Sequence, residues 1–205
     1  YPCMPYSPSI QSLIRAFSKL PGVGTRTAER FVFFLLKSGR KHVAELTQAL
    51  NAVMQEVKSC DMCWDFSDTT PCRICSNTTR EKTRICVVSQ SQDVQVFEHA
   101  GMFRGLYHIL RGTLKPEEED SANNIKIHSL LERVQNGSVE EVILALNPDM
   151  DGEITMMFLE KELKKTAPHI RVTRLARGLP MGSDVQYADD VTLQNAFTYR
   201  TEKPR

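Results

Sequence analysis

The chain has 205 residues, 41% of them hydrophobic and 25% charged, with a formal net charge of +1. That length holds one or two globular domains with a real core, and a balance so close to neutral excludes nucleic-acid binding by bulk charge; a local patch is needed. No apolar run approaches the roughly 18 residues that span a bilayer, and "YPCMPYSPS" lacks the basic-then-apolar order of a secretory leader.

Met4 is the expected natural start, which places Tyr1–Cys3 before it and leaves five cysteines. An odd count fits a disulfide framework poorly, so a reducing, cytoplasmic setting is expected.

Ser7-Pro8 predicts a helix start, with Ser7 as N-cap and Pro8 at the first helical position. Ile10, Leu13, Ile14 and Phe17 recur at helical spacing up to Leu20. "LPGVGTRTAER" (20–30) then breaks the helix and restarts it with positive charge. Pro21 fixes φ and Gly22 is free to take a left-handed conformation, which predicts a short, sharp helix–helix connection. Small residues also let a large, flat partner approach the backbone. The first amides of the new helix have no intrahelical partner and lie at the positive end of its dipole, beside Arg26 and Arg30. Such a place suits an anion, with phosphate the obvious candidate; a purely structural αα-corner is the alternative. Ala28, Phe31, Val32, Leu35 and Leu36 carry the second helix to a stop near Gly39. Val43, Leu46, Leu50, Val53 and Val57 step by three and four along a third. These faces are expected to close on one another as a helical module, residues 5–58.

Residues 59–77 form a cysteine-rich insert. "CDMCWDFSDTTPCRIC" places Cys60, Cys63, Cys72 and Cys75 as C-x2-C-x8-C-x2-C. Each C-x2-C pair presents two thiolates to one ion, and two pairs complete a tetrahedral S4 shell that favours Zn²⁺. With every position filled by protein, no site is left for an activated water, so one structural zinc per chain is expected. Two disulfides or an iron–sulfur centre are the alternatives. Cys86, inside a strand-like run, reads as a small buried apolar residue.

From residue 84 the texture changes. "RICVV" (84–88), "EEVILAL" (140–146) and "IRVTRL" (170–175) read as strands. Helices are expected up to Gly101, from about Ile154 to Lys165, and over 187–197. Strands alternating with helices predict an α/β fold with a mostly parallel sheet covered on both faces, residues 82–178, followed by a C-terminal segment, 179–205. "GTLKPEEEDSANN" (112–124) reads as a solvated loop. "LNPDMDGE" (146–153) puts Asp149, Asp151 and Glu153 at the carboxyl end of a parallel strand, where open α/β sheets place their sites. Alternating carboxylates there can converge on Mg²⁺; equally, Asp and Glu cap helix N-termini.

The glycine-containing helical hairpin, the four-cysteine knuckle and the acidic "NPxxxGE" turn, in that order, resemble the RecR family of bacterial recombination-repair proteins. "EHAGMFRGLYHIL" (98–110) and "VTRLARGLPMGSDVQYADDVTL" (172–193) look like that family's signature segments. The resemblance covers Pro5 to about Phe197. It implies a helix-hairpin-helix, a zinc knuckle and a Toprim domain, a ring-shaped homo-oligomer of tetramer size, and a C-terminal segment at an oligomer contact. It also implies work with RecO and RecF in loading recombinase onto single-stranded DNA coated by binding protein. By position, non-sequence-specific binding of single- and double-stranded DNA falls on Lys19, Gly22, Gly24, Arg26 and Arg30, and zinc on Cys60, Cys63, Cys72 and Cys75. The Toprim acidic turn falls on Asp149, Asp151 and Glu153.

Catalytic Toprim enzymes carry a glutamate at the end of the first strand, where "ICVVSQS" has Ser89. A serine hydroxyl does not exchange protons near neutral pH without an activating base, and none is identifiable nearby in the sequence. The reading is therefore a non-enzymatic DNA-binding mediator in the cytoplasm, at the nucleoid, with no membrane association. A Mg²⁺-dependent Toprim nuclease or primase is the alternative, and a zinc-knuckle adaptor for protein partners a third. Without a general acid–base, the acidic turn reads as exposed negative charge facing a basic partner such as RecO or RecF, or as a Mg²⁺ site.

Overall fold

The computed structural model describes residues 6–117 and 125–201. Tyr1–Cys3 and Met4 lie outside the described residues, as do residues 118–124 of the acidic loop and the last four of the chain. Two compact units meet between Val57 and Lys58.

In the first unit, α1 (Pro8–Phe17) starts on a proline in its first turn, and Ser7 occupies the N-cap position without a side-chain capping bond. Backbone bonds from Lys19 N to Ala16 O (3.3 Å) and from Val23 N to Leu20 O (3.0 Å) wind the turn, and Gly22 sits at φ 77°. α2 (Thr25–Glu56) follows, broken at Gly39, whose φ of 82° and ψ of 166° no helix contains. The expected second and third helices are thus its two halves. Ile14, Ala28 and Val32 form the buried core, with Tyr6, Ile10, Phe17 and Val23 packed around it. Edge-on contacts of Phe17 with Phe31 and Tyr6 with Phe33 extend the packing. The expected closure of all three apolar faces does not occur. Val43, Leu46, Leu50 and Val53 are 38–60% exposed. α1 is ten residues long and its partners lie before Gly39, which leaves the second half of α2 uncovered by the unit.

The second unit opens with a small antiparallel pair, β1 (Lys58–Ser59) and β2 (Phe66–Ser67), around the cysteine-rich insert. Then come β3 (Arg84–Val88), α3 (Ser91–Ala100), β4 (Leu106–Ile109), α4 (Ile127–Asn136), β5 (Glu141–Leu144), α5 (Met150–Thr166) and β6 (Arg171–Arg174). A 3-10 turn (Val185–Tyr187) and α6 (Asp190–Thr198) end the described chain. The four-stranded sheet runs β4-β3-β5-β6 and every pairing is parallel.

Alternation along β3 assigns its two faces. Ile85 and Val87 pack with Leu130 and Val134 of α4 and with Met156, Leu159 and Leu163 of α5. Cys86 and Val88 pack with Val94 of α3, Tyr107, Ile109 and all four cysteines of the insert. Burial on both faces is why β3 reads as a continuous apolar run. Cys86 is 3% exposed, as a small apolar residue. Two elements escaped the sequence reading, β4 and α4. α5 begins at Met150 rather than Ile154, because Asp149 caps it, and α6 begins at Asp190, where Asp189 accepts from Thr192 N at 2.9 Å.

Candidate nucleic-acid interface and metal centre

The turn before α2 leaves its first amides uncovered. Ala28 N, bonding to Gly24 O at 2.9 Å, is the first amide the helix satisfies. The N-cap, Gly24, has no side chain to offer, and no acidic residue stands in the first turn. Other helices of the chain differ. α3 carries a reciprocal capping box of Gln90 and Asp93, and Asp149 and Asp189 cap α5 and α6. Lys19, Gly22, Gly24, Arg26 and Arg30 flank the turn, and a Cβ built on Gly22 or Gly24 meets nothing within 4 Å. The space above the turn is therefore open. An uncapped helix N-terminus flanked by cations attracts phosphate oxygens without reading bases.

The four cysteines are buried, and their sulfurs all lie within 4.8 Å of one another. Among the described residues no other group of three or more potential metal ligands converges in this way. Cys63 and Cys72 stand 3.6 Å apart, sulfur to sulfur, and every described cysteine is free. A bonded pair would be about 2.05 Å apart, so the disulfide alternative fails here. A tetrahedron with metal–sulfur bonds of about 2.3 Å has edges of about 3.8 Å, which fits. Backbone N–H groups of Cys72 and Cys75 donate to the sulfurs of Cys60 (3.3 Å) and Cys72 (3.5 Å), as they do to thiolates. Hydrogen bonds from Cys63 and Cys75 hold the Cys72 thiol well below its ordinary range, while donating to Cys72 pushes Cys63 far above it. Four thiolates this close need a cation between them, and the cluster can hold a metal ion. Arg133, from α4, adds a countercharge that the sequence did not reveal. Burial lowers its pKa, negative charge on the cysteines opposes that, and its Nη1 donates to Tyr107 O at 2.7 Å.

At the carboxyl end of the sheet, Ser89 follows β3 and the acidic turn follows the neighbouring β5. Ser89 is 5% exposed and its hydroxyl donates to Asp93 Oδ2 at 3.0 Å. A carboxylate therefore does stand beside it, contrary to the sequence reading. That same oxygen accepts from Gln90 N at 2.9 Å, as part of the α3 cap. Asp149 Oδ1 accepts from Gly152 N at 2.8 Å. The expectation of three exposed negative charges is corrected at Glu153, which pairs with Arg174 (3.1 Å) and with Arg177. Arg174 also reaches Glu160 at 2.5 Å. The arginines lie more than twenty positions along the chain, so local spacing could not show them. Asp149 is exposed and Asp151 partly so. Among the described residues no helix is long and apolar enough to cross a membrane.

A family profile for the helix-hairpin-helix of RecR matches residues 10–54, one for a Toprim domain matches residues 83–176, and one for the RecR C-terminal region matches residues 178–201. The chain is similar to Recombination protein RecR of Dehalococcoides mccartyi, 42% identical over 192 residues that cover 94% of this chain and 93% of the relative. Recombination protein RecR of Moorella thermoacetica is 41% identical over 199 residues, 97% of this chain and 99% of its own. That of Clostridium perfringens is 42% identical over 196 residues, covering 96% and 98%.

Proposed function

The chain belongs to the RecR family of recombination proteins, and from that premise we propose a non-enzymatic, DNA-binding mediator of recombinational repair. Working with RecO and RecF, it loads recombinase onto single-stranded DNA coated by binding protein. The observation that carries this reading is the bare N-terminus of α2. Its amides are uncapped, its turn is open, and Lys19, Arg26 and Arg30 stand around it. Contacts of that kind are the same for every sequence, in single strands and duplexes alike.

The four-cysteine centre holds one Zn²⁺ as a structural ion. An all-thiolate shell leaves no position for substrate, and its walls belong to the core of the sheet. The Toprim domain serves as a binding platform. Ser89 stands where family enzymes carry a glutamate, and its hydroxyl is committed to the Asp93 cap. Asp149 and Asp151 present negative charge that suits a basic partner, with RecO and RecF the candidates. A ring of four copies would cover two surfaces left open on one chain, the Val43–Val53 stripe of α2 and the exposed Tyr187, Phe197 and Tyr199 of the C-terminal segment. The setting is the cytoplasm, at the nucleoid.

A loading assay tests the reading. Recombinase is added to coated single strands with RecO and RecF, with and without this protein, and the lag before ATP hydrolysis is timed. The protein should shorten the lag, and the Arg26→Ala/Arg30→Ala variant should not. An unchanged lag, or Mg²⁺-dependent cleavage of DNA by the protein alone, would overturn it.

A further inference from the structure

Two non-glycine residues have positive φ among those described, Trp64 at 66° and Arg111 at 64°, and they touch each other. Arg111 Nε donates to the Trp64 carbonyl at 2.9 Å, and its Nη2 donates to Ser59 Oγ at 2.9 Å. Its guanidinium carbon stands 4.3 Å from the centre of the Phe66 ring and 6.0 Å from that of Trp64. Lys126 places its ammonium 4.5 Å over the Trp64 ring. Ser59 pairs with Phe66 across β1 and β2, so the anchor of Arg111 and the ring it covers share a face.

Internal packing accounts for part of this. Cation–aromatic contacts fasten the insert to the end of β4, and Ile109 N adds a bond to Cys63 O at 2.8 Å. Packing leaves two features unexplained. Neither Arg111 nor Lys126 has a carboxylate partner among the described residues, whereas Arg80, Arg84, Arg171, Arg174 and Arg177 all do. Phe66 is 60% exposed, although a ring recruited only for packing would be buried. Backbone held in a costly region persists where its surroundings over-determine it, and such strain gathers at functional surfaces.

We propose that Trp64, Phe66, Arg111 and Lys126 form a second contact for single-stranded nucleic acid, in which a base stacks on Phe66 and the adjoining phosphates pair with Arg111 and Lys126. Every base has a π-face, so an exposed ring beside cations binds single strands with little sequence preference. A duplex keeps its base faces stacked inside and offers this surface only phosphate. The proposal rests on the reading that the chain binds DNA, but at residues separate from the hairpin.

Trp64 is the single tryptophan of the chain, so its emission reports on this face without a label. The zinc-loaded full chain is titrated with oligothymidylate, with a duplex of equal length and with an acidic peptide. Phe66→Ala should weaken oligothymidylate binding about tenfold, the scale of removing one base stack, and leave duplex binding unchanged. Phe66→Tyr should keep wild-type affinity. Lys126→Gln should reduce the salt slope by about one unit, the share of a single phosphate. In an Arg26→Ala/Arg30→Ala background the Trp64 response to oligothymidylate should persist. If that background binds duplex as the wild type does, the hairpin reading fails while the Phe66 comparison still stands or falls alone. Equal oligothymidylate affinity for wild type and Phe66→Ala would overturn the proposal. So would loss of binding in Phe66→Tyr, or a Trp64 response to the acidic peptide and none to the oligonucleotide.

Discussion

Asp149 and Gly152 close the acidic turn on itself: the Gly152 N–H donates to Asp149 Oδ1 at 2.8 Å, and a Cβ on Gly152 would stand 2.0 Å from the Asn147 carbonyl oxygen. Alanine normally favours a helix over glycine by about 1 kcal/mol. Here the obstacle is backbone, which cannot swing aside, so the turn must open. Gly152→Ala is expected to lower stability by about 1–3 kcal/mol, the range for overpacking, read as a shift in the denaturant midpoint.

The turn also decides which substitution tests partner docking. Truncating Glu153 would strand Arg174 and Arg177, so its effect would mix removal of charge with a disturbed ion-pair cluster. Asp151→Asn removes one charge at a residue with no described ion pair. It should weaken capture of RecO in a salt-sensitive way and leave DNA affinity of the isolated protein unchanged. Loss of DNA binding with the partner retained would make the turn a metal or DNA site.

Cys72→Ser removes a ligand from a centre whose walls include Tyr107 and Ile109, so the damage should spread beyond the insert. Zinc measured per chain should fall from one towards zero. A loss of about 3 kcal/mol would lower Tm by roughly 6–12 °C in a chain of this size. Iron in the purified native protein, or full stability without metal, would contradict the assignment.

His108 gives a pH dependence whose sign can be worked out. It is fully buried, its Nε2–H donates to Lys126 O at 2.8 Å, and its Nδ1 has no partner among the described residues. Burial, helped by the charge of Arg133, pushes its pKa from 6.5 down to about 4. The unfolded chain therefore takes up a proton below about pH 6.5 that the folded chain refuses until about pH 4. Folded-state stability falls with pH across that window, by about 3 kcal/mol at 1.36 kcal/mol per pKa unit. Metal release at low pH affects wild type and His108→Gln alike. The stability difference between them should thus move by that amount from pH 7 to pH 4, against the wild type.

Much of this was legible wherever the signal was local. "PGVG" announces the turn that Gly22 makes at positive φ, and two C-x2-C pairs announce the metal cluster. β3 was readable as a run because neighbours bury both of its faces. β4 was missed because Tyr107 and His108 break an apolar run with polar atoms, and only the fold buries them. α4 carries Ile127, Leu130 and Val134 at helical spacing, a legible pattern that the adjoining charged loop obscured. The pairings of Glu153, Arg133 and Arg111 were not legible, since each joins positions brought together by the sheet. The uncovered half of α2 was invisible for the opposite reason, because a regular apolar stripe does not say what covers it.

The central claim is that DNA phosphates are held at the start of α2, and salt-dependent DNA titration tests it most directly. Wild type and Arg26→Ala/Arg30→Ala are titrated with labelled single strands and duplexes of several sequences across a range of salt. Affinity should fall with salt for every sequence. The double variant should bind all duplex sequences more weakly by a similar factor, with a salt slope shallower by about one unit for each phosphate it no longer holds. Duplex affinity and slope unchanged in the double variant would contradict the account and move the DNA site elsewhere in the chain.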